Sequence, residues 1–151
     1  MEGGNYGRFA LMMLTSWFVM YGLMFINVAQ LDHIMLSYTR TYMAVCMVSS
    51  MAIIMLLYML SMYQNKRINA AILVGSLAIF LGALALLRTQ TPISDVQWMR
   101  GMIPHHSSAI MTSQQANLKD PEVKKLAEEI IRAQEREIAQ MKKILYRLEH
   151  E

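Results

Sequence analysis

The chain has 151 residues, 55% of them hydrophobic, and a formal net charge of +3. That is room for one domain or for a small domain with a membrane anchor, and it is too apolar for a single soluble globule. Up to residue 118, Arg8, Arg40, Lys66, Arg67, Arg88 and Arg100 face only Glu2, Asp32 and Asp95, whereas eight basic and eight acidic residues balance from Lys119 onward. The positive excess thus lies around apolar segments and forms no nucleic-acid-binding face, so no nucleic-acid partner is expected.

Phe9 to Leu31 is uncharged between Arg8 and Asp32, long enough for the roughly 20 helical residues that cross a bilayer core. A cleaved signal peptide is the competing reading, but the run is too long and no clear small-x-small site follows it. Two more uncharged runs lie between Arg40 and Lys66 and between Arg67 and Arg88. The expectation is three transmembrane helices at about 9–31, 42–64 and 68–87, within a membrane region 1–88. Lys66 and Arg67 in a tight turn, with Arg8, slightly favour that side as cytoplasmic. In a bacterium this puts the protein in the inner membrane, surrounded by lipid, with its C-terminal part in the periplasm.

The second run carries Met43, Met47, Met51, Met55 and Met59, each four residues after the last, in a chain with sixteen methionines. Thioethers so spaced form a gently spiralling stripe along a helix. Lipid-compatible filler is one reading; a ladder that binds or relays copper(I) is the other. Met13, Trp17, Met20 and Met24 in the first run invite the same pair of readings. In the third, Ala71, Gly75, Ala78, Gly82 and Ala85 make a strip of small residues suited to close helix packing. Cys46 is the only cysteine, so no intramolecular disulfide can form.

Beyond the short link containing Pro92, residues 94–151 are expected to form an extramembrane helical hairpin. Ser94 and Gln97 have capping-box spacing at the first helix, and Pro104 is expected to kink it. Asp120-Pro121 opens the second helix as cap and first turn. Val123, Leu126, Ile130, Ile138, Met141, Leu145 and Leu148 keep helical period, while Gln134 and Glu137 place polar groups near that stripe. Two helices leave an apolar stripe open, so a homo-oligomer closing a four-helix bundle is expected; folding back onto the spans or the membrane surface is the other solution.

The segment Met102-Ile103-Pro104-His105-His106, with Met111 after it and Gln134, Glu137 and Met141 on the second helix, combines imidazole and thioether donors. That set suits a soft metal, copper(I) best. Met102 and His106 stand at i and i+4, and Glu137 is placed to accept a spare imidazole N–H. Glu137 as a direct ligand shifts the preference towards iron, manganese or zinc. Adjacent histidines that only make surface contacts remain the plain alternative.

The pattern Asp95…Met102-Ile-Pro-His105-His106…Met111, then Asp120-Pro-Glu…Gln134-x-x-Glu137-Ile-x-x-Met141, resembles the domain-of-unknown-function 305 family over about residues 92–148. Its better-understood relatives are CopM-like periplasmic copper-binding proteins. The resemblance implies an all-α, ferritin-like bundle that binds copper through Met102, His105, His106, Met111 and Met141, with Gln134 and Glu137 in support. The leading expectation is a membrane-anchored copper(I)-binding protein for sequestration, delivery or tolerance, not an enzyme, with a copper-transport or copper-chaperone partner. A metal-free structural or regulatory membrane subunit is the alternative. A ferritin-like metal oxidase is the third reading, with only one well-placed carboxylate per hairpin to support it.

Overall fold

The structure is a computed structural model and describes residues 5–150; the ends of the two expected regions, 1–4 and 151, lie outside the described residues. Those residues are all-helical, with no strand among them. In order they form α1 (Tyr6–Leu23), a 3-10 turn (Leu31–His33), α2 (Tyr38–Tyr58), α3 (Lys66–Thr89), α4 (Asp95–Gln115) and α5 (Pro121–His150). The chain divides into two compact units: α1 with Thr39–Pro92, and Met24–Tyr38 with the chain from Ile93 onward.

In the first unit α2 and α3 are long and apolar enough to cross a membrane. Only 6% of the most apolar stretch of α3 is buried among the described residues. Phe9 and Met13 of α1 join Ala52, Leu56 and Tyr63 in one core. The Tyr6 hydroxyl donates to Asn69 Oδ1 at 2.9 Å, and Asn69 Nδ2 donates to the Tyr63 carbonyl at 2.6 Å. Asn65 caps α3 by accepting from the Arg67 and Ile68 amides. Among the described residues the small-residue strip of α3 is largely open: Ala71, Ala78, Gly82 and Ala85 are exposed, and a Cβ added at Gly75 or Gly82 meets open space.

The apolar run from Phe9 to Leu31 does not form one helix. It ends its helical course at Leu23, and Met24–Tyr38 belongs to the second unit. The physical reason lies in its polar groups. Asn27 donates its side-chain amide to Ser108 Oγ, and the Ala29 amide donates to Ser107 Oγ at 2.7 Å. Apolar content alone favours continuation, and these bonds to α4 override it.

α4 and α5 pack along each other in opposite directions, since Arg100 is bonded to Glu149 and His106 lies beside Glu137. Their core is Met99, Ile103, Ile110, Ile138, Met141 and Leu145. Ala29 and Met35 of Met24–Tyr38, the crossing segment, pack against this core, so part of the stripe that two helices leave open is covered by the same chain. Ser94 caps α4 through Gln97 N, yet the Gln97 side chain does not return the bond; it accepts from the Tyr38 amide at 3.1 Å. Asp120 caps α5 by accepting from the Glu122 and Val123 amides. α4 continues as a helix through the buried Pro104.

Ser107 has no exposed surface, and its hydroxyl serves both the Ala29 amide and His33 Nδ1, the latter at 2.8 Å. Outside this buried contact, Lys142 Nζ holds Asp32 Oδ2 at 2.5 Å. Burial, reinforced by the Lys142 charge, pushes the His33 pKa below its ordinary value, with Asp32 opposing. The hydrogen bond from Lys142 holds the Asp32 carboxyl below the usual carboxylate range.

Ser107→Ala strips both groups of their partner, at a cost of about 1–3 kcal/mol. Hydrogen exchange at the Ala29 amide is expected to accelerate in that variant while the amides of α5 keep their protection. A histidine with a depressed folded pKa binds fewer protons than the unfolded chain. Its contribution is therefore intact above about pH 6.5 and is lost as pH falls through the folded value. Asp32 loses its share only below about pH 4. Protection of Ala29 is expected to fall between pH 7 and pH 5 in the wild type, and His33→Asn is expected to flatten that fall.

Candidate metal centre

His105 and His106 are neighbours on α4, with ring centroids 6.2 Å apart, but successive helical residues point about 100° apart. His106 turns towards α5, its side chain only 13% exposed, whereas His105 is exposed. The two imidazoles therefore do not act as one inward pair.

His106 Nδ1 lies 3.1 Å from Glu137 Oε2. The contact is within ion-pair reach but is not aligned as a hydrogen bond, and His106 Nδ1 is buried without a hydrogen-bond partner among the described residues. Gln134 Oε1, on α5, is likewise buried and unbonded. A buried polar atom without a partner costs free energy comparable to a lost hydrogen bond. Burial lowers the His106 pKa, with Glu137 opposing and His105 reinforcing, which favours the neutral imidazole, the form that binds a metal.

The helix directions decide which thioethers stand near it. Met102 is one turn before His106 on α4, and Met141 is one turn after Glu137 on α5. Because the helices run in opposite directions, both steps lead the same way along the pair. Met141 is part of the buried core, and Met102 packs against that core. Met111 is five residues beyond His106, about 140° round the helix, and only half-buried. Of the five candidate ligands, Met102, His106 and Met141 share one side; His105 and Met111 do not. Glu137 is at the rim, its side chain 52% exposed.

The methionines of α2 divide into two groups. Met51, Met55 and Met59 pack against the Phe9–Leu56 core, while Met43 and Met47 are exposed. Each four-residue step turns the stripe by about 40°, and four steps carry it some 160° round the helix, so no single face holds all five.

His33, Ser107 and Asp32 are the residues that sequence reasoning passed over. A signal was present: Asn27 and Gln30 interrupt the apolar run, and Asp32-His33 ends it. With Ile110, Gln114, Ile138 and Lys142, His33 and Gln30 line a cleft of about 310 Å³.

The model of the family described as "Domain of unknown function (DUF305)" matches residues 82–145, which include every residue of the His106 centre. A relative from Acanthamoeba polyphaga mimivirus, itself described as uncharacterized, is 40% identical over 106 residues, covering 69% of this chain and 68% of its own length. No solved structure matches. The match over α4 and α5, together with the extent of that relationship, places the chain in the DUF305 family.

Proposed function

We propose that the protein is a membrane-anchored copper(I)-binding protein that takes copper as cargo at His106, between α4 and α5, for sequestration or transfer. The observation that carries this reading is the buried His106 Nδ1, without a hydrogen-bond partner among the described residues, on the side of the helix pair that carries Met102 and Met141. Imidazole and thioether are natural donors to copper(I). Glu137 tunes the site from its rim, and Gln134, one turn before Glu137 on α5, is a second buried polar group without a hydrogen-bond partner among the described residues. His105 and Met111, from their outward positions, serve at most to pass the ion in or out, as do Met43 and Met47 on α2.

In this reading α1, α2 and α3 are three membrane spans, α1 being the shortest at 18 residues. Lys66 and Arg67 face the cytoplasm, and α4 and α5 lie on the opposite side, the periplasm in a bacterium. A copper transporter or chaperone is the natural partner for such a site. Among the described residues no three His, Cys, Asp or Glu side chains converge. A metal held at His106 therefore takes thioether donors to complete its shell, a ligand type that copper(I) accepts. The metal-free membrane subunit remains the competing reading, and it is the one that ligand substitution distinguishes.

An anaerobic copper(I) competition titration on the detergent-purified protein tests the site. His106→Ala is expected to weaken binding by at least about 100-fold, and Met141→Leu by an intermediate factor. His105→Ala is expected to change it by less than about 3-fold, and Glu137→Gln by roughly 10-fold, the scale of a group that orients a ligand. Equal losses from His105→Ala and His106→Ala contradict the assignment, and no measurable binding in the wild type overturns the copper reading.

A further inference from the structure

The crossing segment has two unlike faces. Towards α4 and α5 it turns Ala29 and Met35, which pack on the core, and His33 and Ser37, which are buried. Away from them stand Ile26, Leu31, Ile34 and Leu36, which are 74%, 83%, 43% and 65% exposed. The split has a backbone cause. Beyond the 3-10 turn the chain is extended at Ile34, and successive side chains of an extended chain point to opposite sides. Residues 33, 35 and 37 therefore turn inward, and 34 and 36 turn outward. Met24–Tyr38 has no Lys, Arg or Glu, and its one Asp, Asp32, is held by Lys142 of α5. Four large exposed aliphatic groups within eleven residues are a patch and not scattered surface hydrophobics.

Chain continuity bears on what covers that face. The segment follows Leu23, the last residue of α1, and ends at Tyr38, the first of α2. Ile26, Ile34 and Leu36 are three, four and two residues from those helix ends, within about 14 Å even for a fully extended chain. α2 is long and apolar enough to cross a membrane, which puts its first turn at the bilayer face. Tyr38 is 49% exposed, and Trp98, next to the Gln97 that accepts from the Tyr38 amide, is 50% exposed. Tyrosine and tryptophan are enriched where membrane meets water. We infer that the outward face of Met24–Tyr38 is a docking surface for the lipid bilayer, with Ile26, Leu31, Ile34 and Leu36 between headgroups and acyl chains. The inference rests on the reading of α1, α2 and α3 as membrane spans. The inward face keeps its bonds to α4 and α5, so the segment ties the helix pair that carries His106 to the membrane surface.

Spin labelling of the full-length, metal-free protein in phosphatidylcholine vesicles tests this. Leu31→Cys, Ile34→Cys and Leu36→Cys are made singly in a Cys46→Ser background and given a nitroxide. Collisions are measured with oxygen, which concentrates in lipid, and with a nickel chelate held in water on both sides. Gln140→Cys, exposed on α5, marks water. Leu77→Cys, midway along α3 and 51% exposed, marks lipid. Labels at 31, 34 and 36 are expected to meet the nickel chelate at least about 5-fold less often than the label at 140 while still meeting oxygen, as an apolar face sunk into the interface requires. Nickel collisions equal to those at 140, with the label at 77 in lipid, overturn the inference and leave the membrane spans standing. Loss of collisions with both reagents means that protein covers the face, a second copy or another part of this chain, and overturns it as well. A label at 77 open to the nickel chelate removes the membrane reading and this inference with it. Because no metal is present, failure of the copper reading leaves the result standing.

Discussion

Two helices cannot enclose a core, and the second unit is organised around that constraint. The chain meets it by withdrawing Met24–Tyr38 from a stretch that is apolar enough for a membrane helix and laying it against α4 and α5. The Ser107 hydroxyl is the point on which this depends. It is fully buried, and it satisfies one backbone amide and one imidazole from the crossing segment. Its immediate neighbour in the chain is His106, which faces α5 a third of a turn away. The anchoring of the segment and the candidate metal centre therefore share one turn of one helix.

This proximity gives the centre a built-in rigidity. His106 has its neutral form favoured by burial, and the turn that carries it is fixed by Pro104 and Ile103 in the core and by Ser107 against the crossing segment. A ligand on a rigid helix holds its geometry more closely than one on a loop. Glu137 and Gln134 come from α5, so the centre also depends on the register of the two helices, which Arg100 and Glu149 fasten at one end.

Much of this was legible in the residues. The helical class followed from apolar period and from caps such as Ser94 and Asp120, whose bonds are present. The contact between His106 and Glu137 followed from their spacing on two opposed helices. Other features were hidden for physical reasons. Residues 24–31 read as membrane helix because composition reports apolar content and not tertiary partners, and Asn27 finds its partner 81 residues away. Gln97 had the spacing of a capping box, yet a distant backbone amide at Tyr38 took its side chain. His105 and His106 look like a pair in sequence, but the helical turn separates adjacent residues. The methionine stripe of α2 was visible; that it turns from the core of its unit to an exposed face follows from the 40° advance at each step.

The account stands on one claim, that His106 and thioethers bind copper(I) together between α4 and α5. X-ray absorption spectroscopy at the copper K-edge, on protein loaded anaerobically with one equivalent of copper(I), tests it most directly. The predicted spectrum shows a mixed shell of one imidazole nitrogen and sulfur scatterers, with the imidazole signal lost in His106→Ala. A shell of nitrogen alone, or an unchanged mixed shell in His106→Ala, would contradict it.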